Sequence, residues 1–212
     1  MANYLSDSGG KDFEIHPEGR FAARCIRVIG LGTQTSQYLG QETVAKKVML
    51  AFETSELMTE GQYKGQPFII TARYTASIHE KSNLGKLLKK WRGRDFTDEE
   101  RKKFDIDTLA GLNCYIEVEH NANGEGKTFA NIDQIKKLPA DVKPAKPFNK
   151  VMCFSPLDPD MDVFNALSKN IQATIEKSPE WKASQRGEQY AKDETASGSS
   201  QPIPDDDSDI PF

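Results

Sequence analysis

Between Tyr63 and Arg94, flat rings and cations alternate: Tyr63, Lys64, Phe68, Arg73, Tyr74, Lys81, Lys86, Lys89, Lys90, Trp91, Arg92 and Arg94. A polyanion with unpaired bases calls on both kinds of group. Cations track its phosphates, and flat side chains stack on its bases at about 1–3 kcal/mol per base. Arg20, Arg24, Arg27, Lys46 and Lys47 add cations upstream, and Tyr38 adds a ring. Every aromatic also has a core-packing alternative. Phe52 and Phe68 fit the core better. Trp91 fits either role, because it closes an apolar helical stripe yet adjoins Arg92-Gly93-Arg94. Tyr74 shares its strand parity with apolar residues, whereas Tyr38 and Tyr63 fall in expected loops.

Charge singles out the same segment. The 212-residue chain has a formal net charge of −4, but residues 64–103 carry 11 basic and 5 acidic groups. Residues 191–212 carry 1 basic and 6 acidic groups. A basic stretch of this kind suits a polyanionic partner, and a solvated helical face would show the same excess.

Other chemistry is poorly represented. The stretch GEGKT at 124–128 lacks the first glycine of a phosphate-binding loop, since Asn121 stands there, and it leads into a strand rather than a helix. Cys25, Cys114 and Cys153 are scattered and odd in number, which suggests reduced thiols in a cytosol. His16, His79 and His120 show no metal-ligand spacing. No catalysis, cofactor or metal is expected. No run approaches the 18 apolar residues of a membrane span, and no secretory signal opens the chain.

The elements that must carry these residues follow from period and punctuation. A polar arm is expected at 1–18. Strands are expected at 19–32, 43–53 and 67–78, with Val48, Leu50 and Phe52 on one face of the second strand and Met49 and Ala51 on the other. Residues 33–42 read as a polar loop. The period then changes: Leu84, Leu87, Leu88 and Trp91 make a helical stripe with Ser82 as N-cap. TDEE at 97–100 is a capping box. Strands at 112–120 and 127–138 flank Asn123-Gly124, a hairpin signal. Three strands, a helical insertion and two more strands match a mainly β, α+β domain over 19–138, a five-stranded Greek-key barrel of the OB type. A Pro-containing linker is expected at 139–157. A helix is expected at 158–187, capped by Asp158 with Pro159 in its first turn and striped by Val163, Phe164, Leu167, Ile171 and Ile175. Residues 188–212 are rich in Ser, Gly, Pro and acid and read as a disordered tail.

The chain ends DDDSDIPF: Asp205, Asp206, Asp207 and Asp209 precede Ile210, Pro211 and Phe212. This terminus resembles the acidic tip of bacterial single-stranded DNA-binding proteins. The resemblance implies that Phe212 enters an apolar pocket on replication and repair proteins, with Ile210, Pro211 and the four aspartates beside it. The body, through PEGRFAARCIRVIGLG, ARYTASIHEKSNLGKLLKKWRGRDFT and LAGLNCYIEVEHN, resembles bacteriophage OB-fold single-stranded DNA-binding proteins over roughly 15–140. It implies a non-catalytic protein that coats single-stranded DNA (ssDNA) in the host cytoplasm. Two alternatives stand beside this one: a strand-annealing mediator, and an interaction protein whose tail is a decoy for host replication enzymes. Self-association is left open.

Overall fold

The computed structural model describes residues 14–38, 41–122, 124 and 126–186. It is a mainly antiparallel sheet with a few short helices. Strand β1 (Gly19–Tyr38) pairs with β2 (Gln41–Leu57), and β2 pairs with β3 (Pro67–Thr75). On its other side β1 pairs with β4 (Asn113–Ala122), which pairs in turn with β5 (Thr128–Lys136). The order is β3-β2-β1-β4-β5, so β3 and β5 are the two edges of an open sheet. A short strand, β6 (Met152–Phe154), runs parallel to β1 along Arg27–Ile29.

Between β3 and β4 lie α1 (Asn83–Arg92) and α2 (Asp98–Lys102). Ser82 caps α1 by accepting from Gly85 N at 3.0 Å. Gly93 ends it in the left-handed region, at φ 70°, where its N–H reaches Lys89 O. The expected capping box is present: Thr97 Oγ1 accepts from Glu100 N, and Glu100 accepts from Thr97 N. Leu84, Leu88 and Trp91 drive α1 into the core formed by Val28, Val48, Leu50, Phe52, Ile70, Ile116 and Ile135. Each such side chain contributes about 1.5–3 kcal/mol on full burial.

The other face of β1 and β2 is covered as well. α3 (Met161–Ala166), α4 (Lys169–Glu176) and helical residues 179–186 follow β6. Phe164, Leu167, Ile175 and Trp181 pack there with Ile29, Leu31, Met49 and Phe154. The close approach is visible at Gly32, where a Cβ would stand 2.4 Å from Ser178 Cβ. Glu180 clamps the same point, accepting from Thr33 N at 2.8 Å and from Thr33 Oγ1 at 2.7 Å. This double burial is why Val48 and Met49, of opposite parity, are both inside.

Several expectations are corrected. Within the loop expected at 33–42, residues 33–38 and 41–42 are strand: β1 and β2 continue as a ribbon paired from Thr33↔Lys46 to Tyr38↔Gln41. β6 lies in the expected linker, giving six strands rather than five. The expected continuous C-terminal helix is interrupted, because Leu167 and Ser168 take extended ψ. Its cap is Asp160, which accepts from Asp162 N and Val163 N, rather than Asp158. Within the expected N-terminal arm, Glu14 accepts from Thr59 and Glu60, and His16 is buried against Phe21 and Phe68. Among the described residues no helix is long and apolar enough to cross a membrane.

Candidate nucleic-acid interface

The two unpaired edges face each other. β3 and β5 come within 8 Å, Cα to Cα, without a hydrogen-bonded ladder between them. Their early halves line a cleft of about 630 Å³, with Phe68–Thr71 on one wall and Lys127–Ala130 on the other. Period 2 turns Ile69, Thr71, Arg73 and Thr75 of β3 outward, and all four are exposed. On the opposite wall Phe129 is 43% exposed, and the Lys127 ammonium stands 5.6 Å from its ring centroid. Cation and flat face are therefore already adjacent.

Further along the seam a second hollow of about 260 Å³ is lined by Tyr74, Lys86, Lys90 and Ile132–Ile135. The N-capped α1 projects Lys86 and Lys90 to solvent while its Leu84 and Leu88 are held inside. Tyr74 is half-buried, and burial pushes its hydroxyl up to about 12, so it stays neutral and can accept or donate a hydrogen bond. From Phe129 to Ile135 the seam extends about 20 Å along the strand. Lys127 lines its first half and Lys86 and Lys90 its second, with Arg73 exposed on β3 between them; Glu14 and Asp133 are the acidic residues on its walls.

No family model, curated protein or solved structure matches this chain. The assignment of a site therefore rests on where the side chains stand.

Of the residues expected to bind ssDNA, Tyr74, Lys86 and Lys90 line the second hollow of the seam, and Arg73 is exposed on the edge strand β3. Lys46 and Lys47 lie elsewhere, at the base of the β1–β2 ribbon, beside a separate cleft of about 280 Å³ that also holds Asp105 and Asp107. Lys47 Nζ donates to Thr75 Oγ1 at 2.9 Å. Tyr38 is the last residue of β1, and Tyr63 lies in a 3-10 turn at Gly61–Tyr63, 40% exposed. Lys89, Arg92 and Arg94 are drawn into ion pairs around α2. Lys89 and Arg101 reach Asp95 at 2.6 and 2.7 Å; Arg92 and Arg94 both reach Glu100. The bonds from Arg94, and then from Thr97 N and Arg92, hold the Glu100 carboxyl down at about 2. Much of the basic excess of this segment is thereby matched locally.

Two expected binders are structural instead. Trp91 is 5% exposed, packs on Phe52 and donates Nε1–H to Asn113 O at 3.0 Å, so it presents no face for stacking. Arg24 pairs at 3.2 Å with Glu53, a carboxylate with 0% exposure that also accepts from Phe148 N, Asn149 N and Asn149 Nδ2. Arg27 is half-buried in β1 opposite Met152 and Ala51. Asp205, Asp206, Asp207, Asp209, Ile210, Pro211 and Phe212 lie outside the described residues.

The sequence reading missed Phe129 and Lys127. Their signal was present: an i, i+2 cation and ring immediately after a hairpin turn, on the outward parity of an edge strand. It was obscured because GEGKT invited comparison with a phosphate loop. Among the described residues no group of three or more His, Cys, Asp or Glu side chains could hold a metal ion.

Proposed function

We propose that this protein is a non-catalytic ssDNA-binding protein whose open sheet is an OB-type barrel. The strand is held along the β3–β5 seam, and the terminal Asp205–Phe212 segment recruits replication and repair proteins. The observation that carries the reading is the exposed ring of Phe129 beside Lys127 in one hollow between β3 and β5, with Tyr74, Lys86 and Lys90 lining the next. A groove of this composition favours a single strand over a duplex, because stacking needs unpaired bases while the cations need only phosphate. Support for the OB-type reading comes from the strand order, from α1 between β3 and β4, and from the approach of β3 to β5. The resemblance of the terminus to the tip of bacterial ssDNA-binding proteins supports partner recruitment.

The test is a fluorescence-anisotropy titration of the full chain with labelled ssDNA, duplex DNA and RNA across a salt series. Tight binding to ssDNA is expected, weaker binding to duplex, and a slope of about −0.7 in log K against log salt for each phosphate neutralised. Absence of ssDNA binding at low salt would reject the reading and favour the tail-decoy alternative. Deleting Asp205–Phe212 is expected to leave ssDNA affinity unchanged or raised, most visibly at low salt, and to abolish capture of replication proteins.

A further inference from the structure

The segment that leads from β5 to β6 is a second run of cations, and the seam does not use it. Residues 136–150 hold five lysines, one aspartate and three prolines. Lys136 reaches Glu117 at 3.9 Å, and Asp141 is exposed. Lys137, Lys143, Lys146 and Lys150 are exposed too, and among the described residues none of these four pairs with a carboxylate. Lys89, Arg92 and Arg94, by contrast, are matched by Asp95 and Glu100. The cations still free to meet a polyanion therefore include a group that lies outside the basic stretch at 64–103.

This segment is held down as a strap. Lys137 N donates to Lys90 O at 3.3 Å, and Val142 N closes a turn on Pro139 O at 3.2 Å. Ala145 is buried, and Phe148 N, Asn149 N and Asn149 Nδ2 all donate to the buried carboxylate of Glu53. Pro139, Pro144 and Pro147 fix φ at three more points, so the strap has less freedom to lose when it takes up a ligand. The backbone of Phe148 is anchored, yet its ring is 58% exposed, with Lys146 and Lys150 two residues away on either side. An exposed ring between unpaired cations supplies both components of single-strand binding. An acidic peptide would engage the lysines and leave the ring without a partner.

We infer that residues 143–150 form a second contact for the single strand held on the seam, with Phe148 stacking on a base and Lys143, Lys146 and Lys150 neutralising phosphates. The second hollow of the seam is lined by Lys90 and Ile135, and the strap leaves from that same end, where Lys137 is bonded to Lys90. A strand that fills the seam meets the strap only once it is long enough to run past Lys90. This contact rests on the ssDNA reading of the seam and adds to it a dependence on strand length.

Anisotropy titrations of the full chain with oligothymidylates of two lengths test it. One of about 6 nucleotides covers the seam at about 3.4 Å per nucleotide. One of about 16 matches the upper site size of a single OB fold. On the longer strand, Phe148→Ala should weaken binding roughly five- to 150-fold, the loss of one stacked base. Lys143→Ala, Lys146→Ala and Lys150→Ala together should reduce its salt slope by about 2, three phosphates at about 0.7 each. Neither variant should change binding of the shorter strand, which also reports an intact fold. All four side chains are exposed, and alanine keeps the N–H that Phe148 gives to Glu53. Unchanged binding of the longer strand by either variant, or equal losses on both lengths, would overturn the strap contact. Phe129→Ala, titrated with the same two strands, separates the surfaces. A loss there beside unaffected strap variants leaves the seam standing without the strap, whereas a parent protein that binds neither length rejects the ssDNA reading itself.

Discussion

The Lys127 ammonium stands 5.6 Å from the centre of the Phe129 ring, and that ring is exposed at the start of an edge strand. Two residues of one outward parity thus present a charge and a flat face together. Stacking on Phe129 should contribute about 1–3 kcal/mol per base, while Lys127 contributes through phosphate. Phe129→Ala is therefore expected to weaken ssDNA binding by roughly five- to 150-fold without lowering thermal stability, and Lys127→Ala to reduce the salt slope by about 0.7. Anisotropy titrations at several salt concentrations check both. Unchanged affinity in Phe129→Ala would move the binding surface away from this seam.

Trp91 should behave as a core residue. Its Nε1–H is committed to Asn113 O, and its ring lies against Phe52 at 5.6 Å between centroids. Oligonucleotide addition should leave its emission nearly unchanged in a Trp181→Phe background. Trp91→Ala should cost about 3–5 kcal/mol in denaturant unfolding, the usual loss for a large buried ring. Strong quenching on DNA addition, with the fold intact, would contradict this placement.

Glu53 is the clamp that holds the segment after β5 on the sheet. Removing one partner of a buried pair leaves the other charge uncompensated, at about 3–5 kcal/mol. Glu53→Ala strands Arg24 and also frees Phe148 N and Asn149 N. Urea unfolding should show that loss, and limited proteolysis should cut near 148–149 faster than in the parent protein. A variant as stable and as resistant as the parent would refute the clamp.

His16 makes stability fall with acid. Burial lowers its pKa below the ordinary 6.5. Nδ1–H donates to Pro17 O, which leaves neutral Nε2 to accept from Thr54 Oγ1 at 2.9 Å. The unfolded chain gains a proton at this site near pH 6.5 while the folded chain resists it, so the stability is present above that pH and lost as pH falls through it. Unfolding free energies measured between pH 8 and pH 5.5 should decline in the parent protein and decline less in His16→Gln. Identical slopes would assign the acid sensitivity to other groups.

Local structure was legible wherever a short pattern determines its own geometry. Ser82, the Thr97–Glu100 capping box, the Leu84–Leu88–Trp91 stripe and the antiparallel pairing of β4 with β5 depend on residues close in sequence, and period 2 separated Phe68 and Ile70 from Ile69 and Thr71. The interleaved rings and cations also named the second hollow of the seam: Tyr74, Lys86 and Lys90. What the sequence could not decide was which charges and rings were already spoken for. Glu100 and Asp95 take up Arg92, Arg94 and Lys89 because the turn between α1 and α2 brings Glu100 beside Arg92 and Arg94 and carries Asp95 back to Lys89. Glu53 and Arg24 look like surface charges on alternating strand positions until residues 148–149 close over them. β6 and the second apolar layer were hidden for the same reason. A three-residue strand carries too little periodicity to see, and Met49 and Ile29 gain their partners from a segment more than 100 residues away in the chain. The seam itself is a tertiary object, since Ile69 and Phe129 line one cleft only because the edge strands β3 and β5, at opposite ends of the sheet order, approach each other.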